Sequence, residues 1–146
     1  MFKHILLPTD GSPLANIAID NGLQLAKEIG AKVTGLYVLV ERMVGSFEDY
    51  SPVSARLPAH DEISRQEAQS VLVRVASRAS ALGVPCTVQS HSHVSPYQAI
   101  IEAATQNHCD LIIMASHGRK GVTGELVGSE TARVITHCKI PVLVYR

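Results

Sequence analysis

The sequence predicts an open, doubly wound α/β fold: a parallel five-stranded sheet in the order 3-2-1-4-5 with helices on both faces. Three observations predict it. Short apolar runs of strand length alternate with stretches of helical period along the whole chain, the pattern of parallel strands joined by right-handed crossovers. The runs are mostly continuous Val, Ile and Leu, as strands covered on both faces require. The helix boundaries carry their own chemistry, with Ser-Pro at two starts and Gly at two stops.

Taken in order, Phe2-Lys-His-Ile-Leu-Leu7 reads as the first strand. Pro8-Thr-Asp-Gly-Ser-Pro13 follows, with Ser12 as a helix cap and Pro13 at the first helical position. The first helix runs to Ile29, with Leu14, Ala18, Gly22, Leu25 and Ile29 on one face, and Gly30 ends it. Strand two covers 32–40. Residues 42–60 hold no clear period and are expected to form a long flexible loop. Helix two covers 61–82, with Ala68, Val71, Leu72, Val75, Ala76, Ala79 and Leu82 as its stripe, and Gly83 stops it. Strand three is 85–91. Ser95-Pro96 opens helix three, which runs to Asn107. Strand four is 110–115, helix four 129–137, and strand five 140–145. The 146 residues suit one domain, 1–146, with a real core.

Two loops stand out. After strand four comes Ala115-Ser116-His117-Gly118, then nine residues, then Gly128-Ser129 at a helix start. Small residues let backbone N–H groups approach an anion, and the helix end supplies unpaired donors and partial positive charge. A plain glycine-rich turn is the competing reading. After strand one, Asp10 stands at a strand C-terminus, where a carboxylate suits a ribose hydroxyl or a metal; the competing reading is a turn-stabilising aspartate. In the order 3-2-1-4-5 both loops line one crevice at the point where strand order reverses, which favours a nucleotide.

Composition narrows the field. Lys plus Arg balance Asp plus Glu at 13 each and no Trp is present, so neither nucleic acid nor an anionic membrane surface is an expected partner. From Ala115 onward Arg119, Lys120, Arg133, Lys139 and Arg146 stand against Glu125 and Glu130, a local tilt that fits a small anion. The apolar runs are too short to span a membrane and the N-terminus shows no signal-peptide pattern. Cys86, Cys109 and Cys138 form no C-x-x-C pair, which points to a reducing cytoplasm.

Several stretches together resemble the universal stress protein family: Ile-Leu-Leu-Pro-Thr-Asp-Gly-Ser at the start, Gly-Leu-Tyr-Val in strand two, Cys-Asp-Leu-Ile-Ile-Met-Ala-Ser-His-Gly, Leu-Val-Gly-Ser, and Ile-Pro-Val-Leu-Val-Tyr at the end. The resemblance covers the whole chain. It implies ATP or a related adenine nucleotide as ligand, accompanied by Mg²⁺ or Mn²⁺, and a stress-response or regulatory role. By position, Asp10 would bond the ribose and Val38 would present its backbone to adenine. Pro8 and Thr9 would line the base pocket, with Met114 and Ala115 beneath the nucleotide. Gly118, Gly128, Ser129 and Glu130 would offer backbone N–H groups to the phosphates, Ser129 also its hydroxyl, His117 would stand among the nucleotide-binding residues, and Arg119 and Lys120 would be phosphate partners or solvated loop charges. The family's nucleotide-binding motif is Gly, two residues, Gly, nine residues, Gly, then Ser or Thr. Ala115 replaces its first glycine. The added methyl either weakens binding or fits where the strand end is extended. Val94 stands where many relatives have glycine.

Other readings stay open. A scaffold that binds no nucleotide would act through dimerisation and partner contacts. A slow ATP hydrolase is a further alternative, although His117 lacks a paired acid or second base and neither Gly-Lys-Ser/Thr nor Gly-x-Gly-x-x-Gly occurs. A receiver domain needs an Asp after strand three, where His91-Ser-His93 stands. Apolar Pro141-Val-Leu-Val-Tyr145 at a sheet edge predicts a homodimer closed through strand five. His4, His108-Cys109 and His137-Cys138 gather at the opposite sheet edge. They are either a tetrahedral zinc set or packing residues.

Overall fold

A computed structural model describes residues 1–41, 58–119 and 127–146. The elements are β1 (His4–Pro8), α1 (Pro13–Ile29), β2 (Lys32–Val40), α2 (Pro58–Leu82), β3 (Cys86–His93), α3 (Pro96–Gln106), β4 (Leu111–Ala115), α4 (Ser129–His137) and β5 (Val142–Tyr145). The sheet order is β3-β2-β1-β4-β5, with every pairing parallel. The predicted architecture is the observed one.

Residues 42–57 of the expected loop lie outside the described residues. Residues 58–60 are not loop: α2 begins at Pro58 rather than Asp61, using proline where its missing N–H costs nothing. β1 ends one residue later than expected and β3 runs two residues further, to His93. β3 is also no apolar run. As a sheet edge it carries polar residues over most of its length.

Ser12 caps α1, its side chain accepting from the Ala15 N–H at 3.3 Å. Gly30 ends the helix at φ 73°, its N–H bonded to the Ala26 carbonyl, a left-handed position that favours glycine. The buried face of α1 is Ala15, Ala18, Ile19, Gly22, Leu23 and Ala26: of the expected stripe Ala18 and Gly22 are buried, and Leu14 and Leu25 pack at its margin. Ile29 is exposed. Small residues let the helix lie close on the sheet, and Ile19 and Leu23 fill the space between them. At α3 the Ser95 side chain makes no capping bond. The Glu130 carboxylate, from α4, accepts from the Tyr97 N–H at 2.9 Å and takes that role. Among the described residues His108 is the one non-glycine at positive φ, so the Val94 turn needs no glycine.

Alternation along the strands builds two apolar layers. Ile5, Leu7, Val33 and Ile113 pack with Ile19, Leu23, Val75 and Ala79 of α1 and α2. Leu6, Leu36, Ile112 and Met114 pack with Ile100, Ala103 and Val134 of α3 and α4. The central strands β1 and β4 are buried throughout. Asp110 ties their starts together by accepting from the Lys3 and His4 amides. Among the described residues no helix is long and apolar enough to cross a membrane.

The His and Cys residues at this end do not converge: among the described residues no three His, Cys, Asp or Glu side chains are placed to hold a metal. Cys109 is buried in the α3–α4 layer and Cys138 packs against it. Burial pushes the Cys109 thiol up to about 11, as for a packing residue in an apolar layer. His4 is buried, with Nε2 2.8 Å from the Thr34 hydroxyl. Burial lowers its pKa, Lys32 and His108 add to that, and the Asn107 backbone and Asp110 oppose it. The unfolded chain therefore binds the proton more readily than the native state, and stability rises with pH across this titration. Stability contributed by neutral His4 is expected to be intact above about pH 6.5 and to fall as pH drops below it. Urea midpoints from neutral to mildly acidic pH should show this slope, and His4→Gln should flatten it.

Candidate functional site

The order of the sheet reverses between β1 and β4, and the loops leaving their C-terminal ends face each other. The β1 loop turns sharply onto α1. Its Asp10 Oδ1 accepts from the Ser12 N–H at 2.9 Å, and the Thr9 hydroxyl accepts from the Gly11 N–H at 3.1 Å. Gly11 holds φ 77°, and a Cβ there would lie 2.8 Å from Val71 and 3.2 Å from the Arg119 guanidinium. Glycine is required twice over, by conformation and by space.

Asp10 also joins the two loops. Its Oδ2 accepts from the Arg119 N–H at 2.8 Å. A Cβ on Gly118 would lie 2.4 Å from that same oxygen, so only glycine lets the second loop close onto the carboxylate. Ala115 ends β4 in extended conformation, paired with Tyr145. Its methyl packs on Ala15 and Ala18 of α1, so the position needs none of glycine's freedom. Ser116 is fully buried, and its hydroxyl meets His117 Nδ1 at 2.8 Å.

Gly128 caps α4 without a side chain. Its N–H, expected to face a phosphate, instead donates to the Ser116 carbonyl at 2.7 Å. A Cβ at Gly128 would lie 2.9 Å from that oxygen. Thr131 seals the same turn, its hydroxyl donating to the Ala115 carbonyl at 3.0 Å. The Ser129 and Glu130 amides lie in the first turn of α4, where helix geometry leaves N–H groups without intrahelical partners. The Glu130 carboxylate is directed away, to α3 and to Arg133 at 3.0 Å.

Of the remaining expected residues, Pro8 ends β1, and Thr9 is buried with its N–H on the Leu36 carbonyl. Val38 and Met114 share the α3–α4 layer, so Met114 is core as much as site floor. Lys120 lies outside the described residues. A shallow depression of about 350 Å³ lies away from this crevice, between α3 and α4, lined by Tyr97, Gln98, Ile101, Glu102 and His137.

Sequence reading missed Glu67 and Tyr37. Arg119 Nη1 is hydrogen-bonded and ion-paired with Glu67 of α2. That hydrogen bond holds the guanidinium above its ordinary pKa. Tyr37, on the α2 side of β2, has its hydroxyl pushed up by burial and then by the nearby Glu67 carboxylate. A tyrosine two residues after the helix-contacting Gly35 was the available signal; Glu67 gave none, because its partner is 52 positions away.

Together these features define a doubly wound α/β protein with a candidate site at the switch point between β1 and β4. The chain belongs to the universal stress protein family, whose model matches residues 1–146. It is 33% identical to universal stress protein MJ0531 of Methanocaldococcus jannaschii, over 100% of this chain and 83% of that protein. Among solved structures it resembles UspA of Lactobacillus plantarum, with TM-score 0.82, 24% identity, and 99% and 98% of the two chains covered. It also resembles a universal stress protein solved in complex with cAMP, with TM-score 0.71, 23% identity, and 99% and 97% covered.

Proposed function

We propose that this chain binds an adenine nucleotide, ATP or a close relative, in the crevice between Asp10 and the Gly118 loop. The observation that supports it most is the meeting of a carboxylate and a glycine cradle at the switch point, beside the N-terminus of α4. There Asp10 bonds the ribose, Pro8, Thr9 and Val38 border the base, and Met114 and Ala115 form the floor. Gly118, the Ser129 and Glu130 amides, the Ser129 hydroxyl and Arg119 face the phosphates. Gly128 contributes shape rather than a donor. The cAMP complex of a family relative supports the adenine class. Mg²⁺ or Mn²⁺ would accompany the nucleotide, between its phosphates and the protein, and would neutralise part of their charge.

Calorimetry with ATP and Mg²⁺ is the test. Micromolar-range binding is expected, and no binding at millimolar ATP overturns the reading in favour of a scaffold. Ala115→Gly is expected to leave ATP affinity nearly unchanged, because the methyl faces α1, while lowering stability by about 0.5–1 kcal/mol. A large gain in affinity would instead place the methyl against the phosphates.

A second copy of the chain is the proposed partner. β5 is a sheet edge with Leu143 exposed, and an apolar edge is satisfied by pairing with its two-fold mate. Light scattering should report a dimer at micromolar concentration.

A further inference from the structure

We infer that Glu67 sets the affinity for the phosphate end of the ligand, by holding Arg119 in an ion pair that a nucleotide must exchange for its own phosphates. The inference rests on the nucleotide reading above and deepens it.

Arg119 is held at both ends. Its backbone N–H is bonded to Asp10 Oδ2 at 2.8 Å, and its guanidinium is paired with Glu67 on α2. Between those anchors the side chain passes over Gly11, where Nη2 lies 3.2 Å from the position a Cβ would take. The missing side chain of Gly11 is the slot in which the guanidinium lies. Arg119 thus forms a strap from the β4 loop across the β1 loop to α2, beside the Asp10 carboxylate. The side chains of Arg119 and Glu67 are 49% and 40% exposed, so water screens the pair and breaking it costs little. A phosphate offers the same fork a bidentate acceptor of greater charge. The exchange therefore favours a phosphorylated ligand, while Glu67 competes against it. Adenosine, without phosphate, has nothing to offer Arg119 and does not take part in the exchange.

The test is calorimetry of the full chain with MgATP and with adenosine, on wild type, Glu67→Gln, Arg119→Ala and the double variant. Thermal melts check that each is folded. Glu67→Gln is expected to tighten ATP about threefold to fivefold, the range of an exposed ion pair, and to leave adenosine binding unchanged. In the Arg119→Ala background the same substitution is expected to do nothing. An equal gain in both backgrounds overturns the inference, because Glu67 would then act by simple repulsion of the phosphates. Unchanged ATP affinity in Glu67→Gln, with wild type binding ATP normally, overturns it alone. A wild type that binds neither ligand overturns the nucleotide reading itself, and the inference with it.

Discussion

Asp10→Ala is expected to weaken ATP binding by about 10- to 100-fold, the loss for a hydrogen bond to a charged group. Two consequences combine. The ribose loses its acceptor, and the Ser12 and Arg119 amides lose the carboxylate that positions both loops. Adenosine should lose affinity alongside ATP, because the lost group faces the sugar. That pattern separates Asp10 from Glu67, whose replacement acts on the phosphate end alone. Asp10→Asn keeps the shape but removes the charge and one acceptor, so its defect should be smaller. Titration calorimetry with both ligands reads all of these effects. Full affinity in Asp10→Ala would remove Asp10 from the site and leave it as a turn residue.

Gly128→Ala should produce the second large effect, on stability as well as binding. The new Cβ would stand 2.9 Å from the Ser116 carbonyl oxygen. That oxygen belongs to backbone and already accepts from the Gly128 N–H and the Thr131 hydroxyl. Nothing at the end of a flexible side chain is available to move aside. The start of α4 must shift, at a cost of roughly 1–3 kcal/mol, which lowers the melting midpoint by about 3–9 °C for a chain of this length. The Ser129 and Glu130 amides shift with it, so ATP affinity should fall in the same variant. Circular dichroism melts and calorimetry check the two effects separately. Backbone strain plays no part, since Gly128 sits at φ −69°, where any residue is at ease.

Much of the architecture was legible because it is written in local chemistry. Ser12 with Pro13, Gly30 and Gly83 marked helix ends, and the apolar runs of β1 and β4 marked strands buried on both faces. The placement of Asp10 followed from topology alone, since β1 and β4 are neighbours. The inward face of α1 was placed partly off centre: Ala18 and Gly22 were read correctly, but the stripe was drawn through Leu14, Leu25 and Ile29, whereas the buried side runs through Ala15, Ile19, Leu23 and Ala26. What local pattern did not reveal at the site was long-range. The Glu130 carboxylate gave no sign of its role, because it caps α3 at Tyr97, 33 residues earlier. Gly128 fitted the motif spacing, yet its N–H closes a turn onto Ser116. Local pattern names the residue type that a position needs, but not the partner that tertiary structure supplies.

The two margins of the sheet are unlike. Cys86–His93 presents threonine, glutamine, serine and histidine along its open side, while Val142–Tyr145 presents valine, leucine and tyrosine. Head-to-tail stacking would set the wet margin of one copy against the greasy margin of the next, a mismatch that opposes open filaments. Self-matching of the greasy margin, as proposed, would turn both wet margins outward, where the polar strand would offer no adhesive surface to a further copy. In the proposed pair this asymmetry would act as a growth terminator, limiting sheet-to-sheet assembly to two copies.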